Sequence, residues 1–223
     1  MRRINYIFHR VILKPLLKLY LRADRRVSYD GFRLLVKRGV FHPLLYFSTK
    51  FLYGFLKEKD LTEKKFLEVG CGSGLLSLLA YKKGAAVSAI DVDQRAVDAT
   101  KFNFDKNFPG HRARIFKSDV FAQVPEEIFD VIVINPPYYF KEVKHPDQQA
   151  WYCGEDGEYF KKLFSGLESR MQVETDVFMV LEENCELKRI SELADEYQLK
   201  LNLIREKTIR WEKSMIFKIT GRY

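Results

Sequence analysis

At 223 residues the chain is long enough for one sizeable domain with an appendage and too short for two. A hydrophobic content of 47% with 14% aromatics indicates a packed core, and no apolar run approaches the roughly 20 residues of a membrane-spanning helix. The formal charge of +8 is lopsided: residues 1–40 hold eleven Lys/Arg against Asp24 and Asp30, whereas the rest carries 27 Lys/Arg and 28 Asp/Glu.

The basic residues open the chain. Arg10, Lys14, Lys18 and Arg22 recur every four positions and would line one face of a helix, with Ile7, Val11, Ile12, Leu16, Leu19 and Tyr20 mostly elsewhere around it. Pro15 predicts a kink or a break into two short helices. Residues 1–39 are therefore expected to form a short basic helical arm. It either packs on the main domain with its basic side in water, or contacts RNA phosphates or an anionic membrane surface. The same segment lacks the uninterrupted apolar stretch of a signal peptide.

Residues 40–223 alternate between strand and helix patterns. Ser48-Thr49 precedes a helix bearing Phe51, Leu52, Phe55 and Leu56. Phe66 to Val69 reads as a strand, Leu75 to Tyr81 as a buried helix, Ala86 to Ile90 as a second strand closed by Asp91, and Gln94 to Asn107 as a helix stopped by Pro109-Gly110. Ala113 to Phe116 and Val131 to Ile134 are the third and fourth strands. Helices over Glu158 to Met171 and Leu187 to Tyr197 flank a strand over Val177 to Leu181. Leu199 to Ile204 and Met215 to Thr220 look like a closing antiparallel pair. The alternation implies right-handed crossovers and an α/β fold: a Rossmann-like, doubly wound, mainly parallel sheet with an antiparallel C-terminal strand. Cys71, Cys153 and Cys185 are odd in number, widely spaced and outside any CxxC or Cys/His pattern. A reducing, cytoplasmic compartment and no metal site are expected.

Two turns carry chemistry. Glu68-Val69-Gly70-Cys71-Gly72-Ser73-Gly74 lies between a strand and a helix, where glycines admit a ligand close to the backbone. A dinucleotide fingerprint wants a small residue where Leu75 stands, so the GxGxG spacing points elsewhere. Asp91 ends the next strand, the usual place for a carboxylate on ribose hydroxyls, and Asp119 ends the third, within reach of an adenine amine. Together they fit a nucleoside without a pyrophosphate. The second turn is Asn135-Pro136-Pro137-Tyr138. Two prolines cannot continue a ladder, so the fourth strand stops there and presents Asn135 at its carboxyl end, the ligand-binding edge of such sheets.

In these ordered motifs, from about residue 40 to 220, the chain resembles the class I S-adenosylmethionine-dependent methyltransferases. The resemblance implies S-adenosylmethionine as cofactor and S-adenosylhomocysteine as product, with residues 40–223 as the methyltransferase domain. Glu68, Gly70 and Gly72 would border the methionine moiety, Asp91 the ribose and Asp119 the adenine edge. Val92 and Phe121 would be apolar walls, with Cys71, Gly74 and Val120 in the same turns. Val40-Phe41-His42-Pro43 through Ser48-Thr49 looks like the entry element of the "methyltransferase small" group, placing Phe41 and Thr49 against the cofactor. The Asn-Pro-Pro-Tyr motif resembles that of enzymes methylating a planar nitrogen. Asn135 and the Pro136 carbonyl would accept hydrogen bonds from the NH2, and Tyr138 would stack on the planar group. His42 and His145 need no catalytic role.

The acceptor is open between two classes of macromolecule. Ala150-Trp151-Tyr152-Cys153-Gly154-Glu155-Asp156-Gly157 looks like the G-x-D-G element of HemK-like release-factor glutamine methyltransferases, which slightly favours a protein glutamine. About 40 residues is too few for the five-helix N-terminal domain of those enzymes. The rival is an exocyclic amine of an rRNA or tRNA base, flipped onto Tyr138 with the basic arm on the backbone. A third reading is a non-catalytic binding protein of the same fold.

Overall fold

The computed structural model describes residues 20–209 and 212–221. Its first elements are two strands, β1 (Arg25–Tyr29) and β2 (Phe32–Val36), paired antiparallel. The arm expected to be helical over 1–39 is thus a β-hairpin across Arg25 to Val36. Residues 1–19, with most of the basic stripe, lie outside the described residues. The cause of the hairpin is local. Asp30 and Gly31 both take left-handed φ values, 48° and 86°, in a two-residue turn whose twist matches the strands it joins.

The remaining elements follow the alternation: α1 (Phe47–Lys57), β3 (Lys65–Val69), α2 (Leu75–Lys82), β4 (Ala86–Asp91), α3 (Gln94–Asn107), β5 (Arg114–Lys117), β6 (Val131–Ile134), α4 (Glu158–Leu167), β7 (Asp176–Glu182), α5 (Leu187–Glu196), β8 (Leu199–Ile209) and β9 (Glu212–Gly221). α4 stops at Leu167, short of the expected Met171, and a 3-10 turn covers Glu168–Arg170. The C-terminal strands run longer than their apolar cores, because alternation with charged residues carries the ladder outward.

Seven strands form one sheet in the order β5-β4-β3-β6-β7-β9-β8, parallel from β5 to β7, with β9 antiparallel to both neighbours. Both faces are covered, which explains the unbroken apolar runs. On one face Phe66, Val131, Val133, Phe178 and Val180 meet α1, α2, α3 and the hairpin residues Phe32 and Leu34. On the other, Leu67, Ile132, Ile134, Val177 and Met179 meet Phe160, Leu163 and Phe164 of α4 and Leu193 and Ala194 of α5. The connections turn opposite ways from β3 and β6, so a cleft opens between their carboxyl ends, the switch point where open α/β sheets bind ligands. Among the described residues no helix is long and apolar enough to cross a membrane.

Candidate active site

The cleft encloses about 1120 Å³, open solvent at its mouth included. Its floor is the turn after β3. Gly70 and Gly72 adopt φ of 80° and 55°, and a Cβ on either would meet no atom closer than 3.9 Å. A side chain there would fill the cleft; bare backbone leaves it to a ligand. Gly74, at the start of α2, serves packing instead: its Cβ would lie 2.6 Å from Thr100 Cγ2 of α3.

Two carboxyls anchor this floor. Glu68, at 4% exposure, accepts a hydrogen bond on Oε2 from Ser77 N at 2.9 Å and a second from Ser77 Oγ. Burial outweighs both bonds and pushes its pKa up to about 8. Asp91 ends β4, its Oδ2 accepting from Gly72 N and its Oδ1 from Asp93 N, each at 2.9 Å. Burial lifts this carboxyl to about 6. Asp119 follows β5, half-exposed and paired with Lys162 of α4. The next residue, Val120, holds φ 50°, a strained value for a β-branched side chain.

The opposite wall is built from β6 onward. Asn135 Nδ2 donates to Thr49 Oγ1 at 3.0 Å, a bond from the end of β6 to the first turn of α1. With Nδ2 engaged, Oδ1 is the amide atom left for a ligand. Tyr138 lines the cleft but is only 6% exposed, and its hydroxyl is bonded to Glu182. Above it Phe41, Tyr46 and Trp151 pack ring on ring, with centroids 4.7 to 5.0 Å apart. Trp151 is held there by a strand-like bridge: Tyr139 N donates to Trp151 O at 3.1 Å, and Cys153 N to Tyr139 O at 3.0 Å. Arg95 ties the far end of this segment down, donating to Asp147 Oδ1 at 2.6 Å while chelating Asp93.

Phe41, Thr49, Glu68, Gly70, Cys71, Gly72, Asp91, Val92, Asp119, Val120, Asn135, Pro136 and Tyr138 all line this one cleft. Two expected residues do not. Gly74 packs against Thr100, and Phe121 is turned into the core, its ring under the Arg170 guanidinium at 4.9 Å and against Gly166. His42 is buried away from the cleft and kept neutral by desolvation. Tyr159 of α4 lines the cleft, and nothing in its helical position singled it out. Its hydroxyl is buried and has no hydrogen-bond partner among the described residues.

With this geometry in place, comparison with known proteins decides the family. The Methyltransferase small domain matches residues 31–152, more than half of the chain. The chain belongs to that family. Over 162 residues it is 32% identical to a release factor glutamine methyltransferase of Dictyoglomus turgidum, a match covering 66% of this chain and 56% of that protein. It is 39% identical over 95 residues to a ribosomal protein L11 methyltransferase of Thermotoga neapolitana, covering 42% and 33%. Over 140 residues it is 30% identical to a tRNA1(Val) (adenine(37)-N6)-methyltransferase of Bacteroides thetaiotaomicron, covering 60% and 58%. The chain thus spans between a third and three-fifths of these relatives' lengths. Among solved structures, a methyltransferase from Pyrococcus furiosus shares the fold over 97% of both chains, with a TM-score of 0.60 and 23% identity. The T. thermophilus 16S rRNA N2 G1207 methyltransferase, solved with AdoMet and guanosine, covers 87% of this chain and 50% of its own, with a TM-score of 0.59 and 19% identity.

Proposed function

We propose that this small-domain methyltransferase uses S-adenosylmethionine to methylate a planar NH2 nitrogen. The observation that carries the reading is Asn135, its amide held by Thr49 with Oδ1 toward a cleft whose other half is the glycine turn and Asp91. The residues present fit the cofactor. Bare backbone at Gly70 and Gly72 suits the methionine moiety, and the Asp91 carboxylate, braced by two backbone N–H groups, suits ribose hydroxyls.

Bound S-adenosylmethionine supplies the methyl group on a sulfonium and leaves as S-adenosylhomocysteine. The chain's own residues act on the acceptor. A planar NH2 is a poor nucleophile because its lone pair is delocalised. Asn135 Oδ1 and the Pro136 carbonyl accept its two hydrogens, which raises charge on nitrogen and fixes its direction. The acceptor nitrogen so held would take the methyl group that the sulfonium gives up and would release one proton to water. No strong base is required. Tyr138, bonded to Glu182 and nearly buried, stiffens the wall behind the acceptor.

A glutamine amide of a protein is the first acceptor we propose. Its support is the Trp151 to Gly157 segment, of which Trp151 lines the cleft, and the longer match to the release factor enzyme. A second reading, the exocyclic amine of an RNA base, is favoured by the half-exposed rings of Phe41 and Trp151, a surface on which a flat base stacks. Transfer of labelled methyl groups into a bacterial cell extract, followed by separate protease and nuclease digestion, distinguishes the two. Label released by protease supports glutamine. Label released by nuclease, with activity falling steeply as salt is added, supports the base.

A further inference from the structure

The buried hydroxyls of two other tyrosines are engaged, that of Tyr53 donating to Asp30 Oδ2 at 2.6 Å and that of Tyr138 bonded to Glu182. Ser48 Oγ and Ser214 Oγ, like Tyr159, have no partner among the described residues. Tyr159 is the exception at the cleft. Its hydroxyl is shut off from solvent without a hydrogen-bond partner among the described residues, an arrangement that costs free energy unless something else supplies the bond. Its surroundings say where that bond lies. The phenol is near Asp91 and Asp119, and all three side chains line the same cleft. Neither carboxylate takes the hydrogen; the Asp91 oxygens accept backbone N–H groups of Gly72 and Asp93, and Asp119 Oδ2 accepts from Lys162. The two acidic strand ends are where ribose and adenine are proposed to sit.

We propose that Tyr159 is a cofactor-binding residue whose hydroxyl hydrogen-bonds the adenosine half of S-adenosylmethionine. This rests on the reading of the cleft as the cofactor site. α4 carries Tyr159 in its first turn, two residues after Gly157, whose φ of 71° starts the helix, so the ring is delivered from the opposite side of the sheet to the hairpin and α1. The cofactor is then held between the glycine turn and α4. Binding gives the hydroxyl the partner it lacks.

The test is Tyr159→Phe, measured by calorimetry with S-adenosylhomocysteine and with adenosine alone, beside the melting temperature of the ligand-free protein. Affinity for both ligands is expected to fall on the order of tenfold. The ligand-free melting temperature should stay the same or rise, because the variant removes an unsatisfied buried hydroxyl. A loss of affinity without a loss of ligand-free stability is what a merely structural tyrosine would not give. Wild-type binding with unchanged affinity in Tyr159→Phe overturns the inference alone, as does a melting temperature that falls alongside affinity. Failure of the wild-type protein to bind either ligand overturns the cofactor reading and this inference together.

Discussion

Thr49 shows how much one hydrogen bond decides. An asparagine amide can turn either end toward a ligand, and the bond from Nδ2 to Thr49 Oγ1 leaves Oδ1 as the atom for the proposed acceptor. Thr49→Val keeps the shape and removes the hydroxyl, so initial rates of methyl transfer at saturating cofactor should fall about 10- to 100-fold. Affinity for S-adenosylhomocysteine should stay within about twofold, and Thr49→Ser should recover most of the rate. Equal losses of rate and affinity would instead make Thr49 a cofactor contact, as the sequence suggested. Asp91→Ala should weaken cofactor binding first, since that carboxylate also braces the glycine turn through Gly72 N. The raised carboxyls predict a pH effect. Glu68 at about 8 and Asp91 at about 6 lie above their ordinary 4.5 and 3.8. Between those values the folded protein holds protons that the unfolded chain has released, so ligand-free stability falls as pH rises from about 5 to 8. Melting curves across that range should show a smaller fall for Glu68→Gln than for wild type. Parallel curves would contradict the burial argument.

Among the elements, the hairpin is tied to α3 by two amides, Asn107, which bonds Arg33 N and O, and the buried Asn103. Asn103 of α3 accepts from Leu35 N at 2.6 Å and donates to Leu35 O and Ser73 O, each at 2.9 Å. It thus bonds β2, α3 and the glycine turn at once. Asn103→Ala leaves those backbone groups without partners and should lower the unfolding free energy by about 2–3 kcal/mol in urea titration. Strands β3 to β6 were legible because each is a short run that ends in, or is followed within two residues by, Gly, Asp or Pro, and those endings line the cleft. The hairpin was less visible. Its Asp30-Gly31 turn signal came just after Arg10, Lys14, Lys18 and Arg22, whose four-residue spacing read as a helix face and drew the whole arm into one helical reading. Phe121 was misplaced because the turn after β5 sends Val120 to the cleft and the next side chain to the core. The Thr49–Asn135 bond spans 86 positions, and no local pattern encodes it.

At the scale of the whole molecule the sheet divides the work. Strands β3, β4 and β5 end in the residues suited to a nucleoside, while β6 ends in the residues suited to a planar nitrogen, and the switch in strand order brings the two halves together. The segment over residues 139–154 closes the acceptor side, bridged to itself at Tyr139 and pinned to α3 by Arg95. On the proposed reading, cofactor binding and acceptor activation are separable by mutation. The most direct measurement is tritiated methyl transfer from S-adenosylmethionine into the macromolecules of a cell extract by wild type and Asn135→Ala, with S-adenosylhomocysteine affinity measured on both. Incorporation by wild type, lost by two or more orders of magnitude in Asn135→Ala while affinity holds within about twofold, is the result the account predicts. Equal incorporation by the two proteins, or none by a wild type that binds the cofactor, would contradict it.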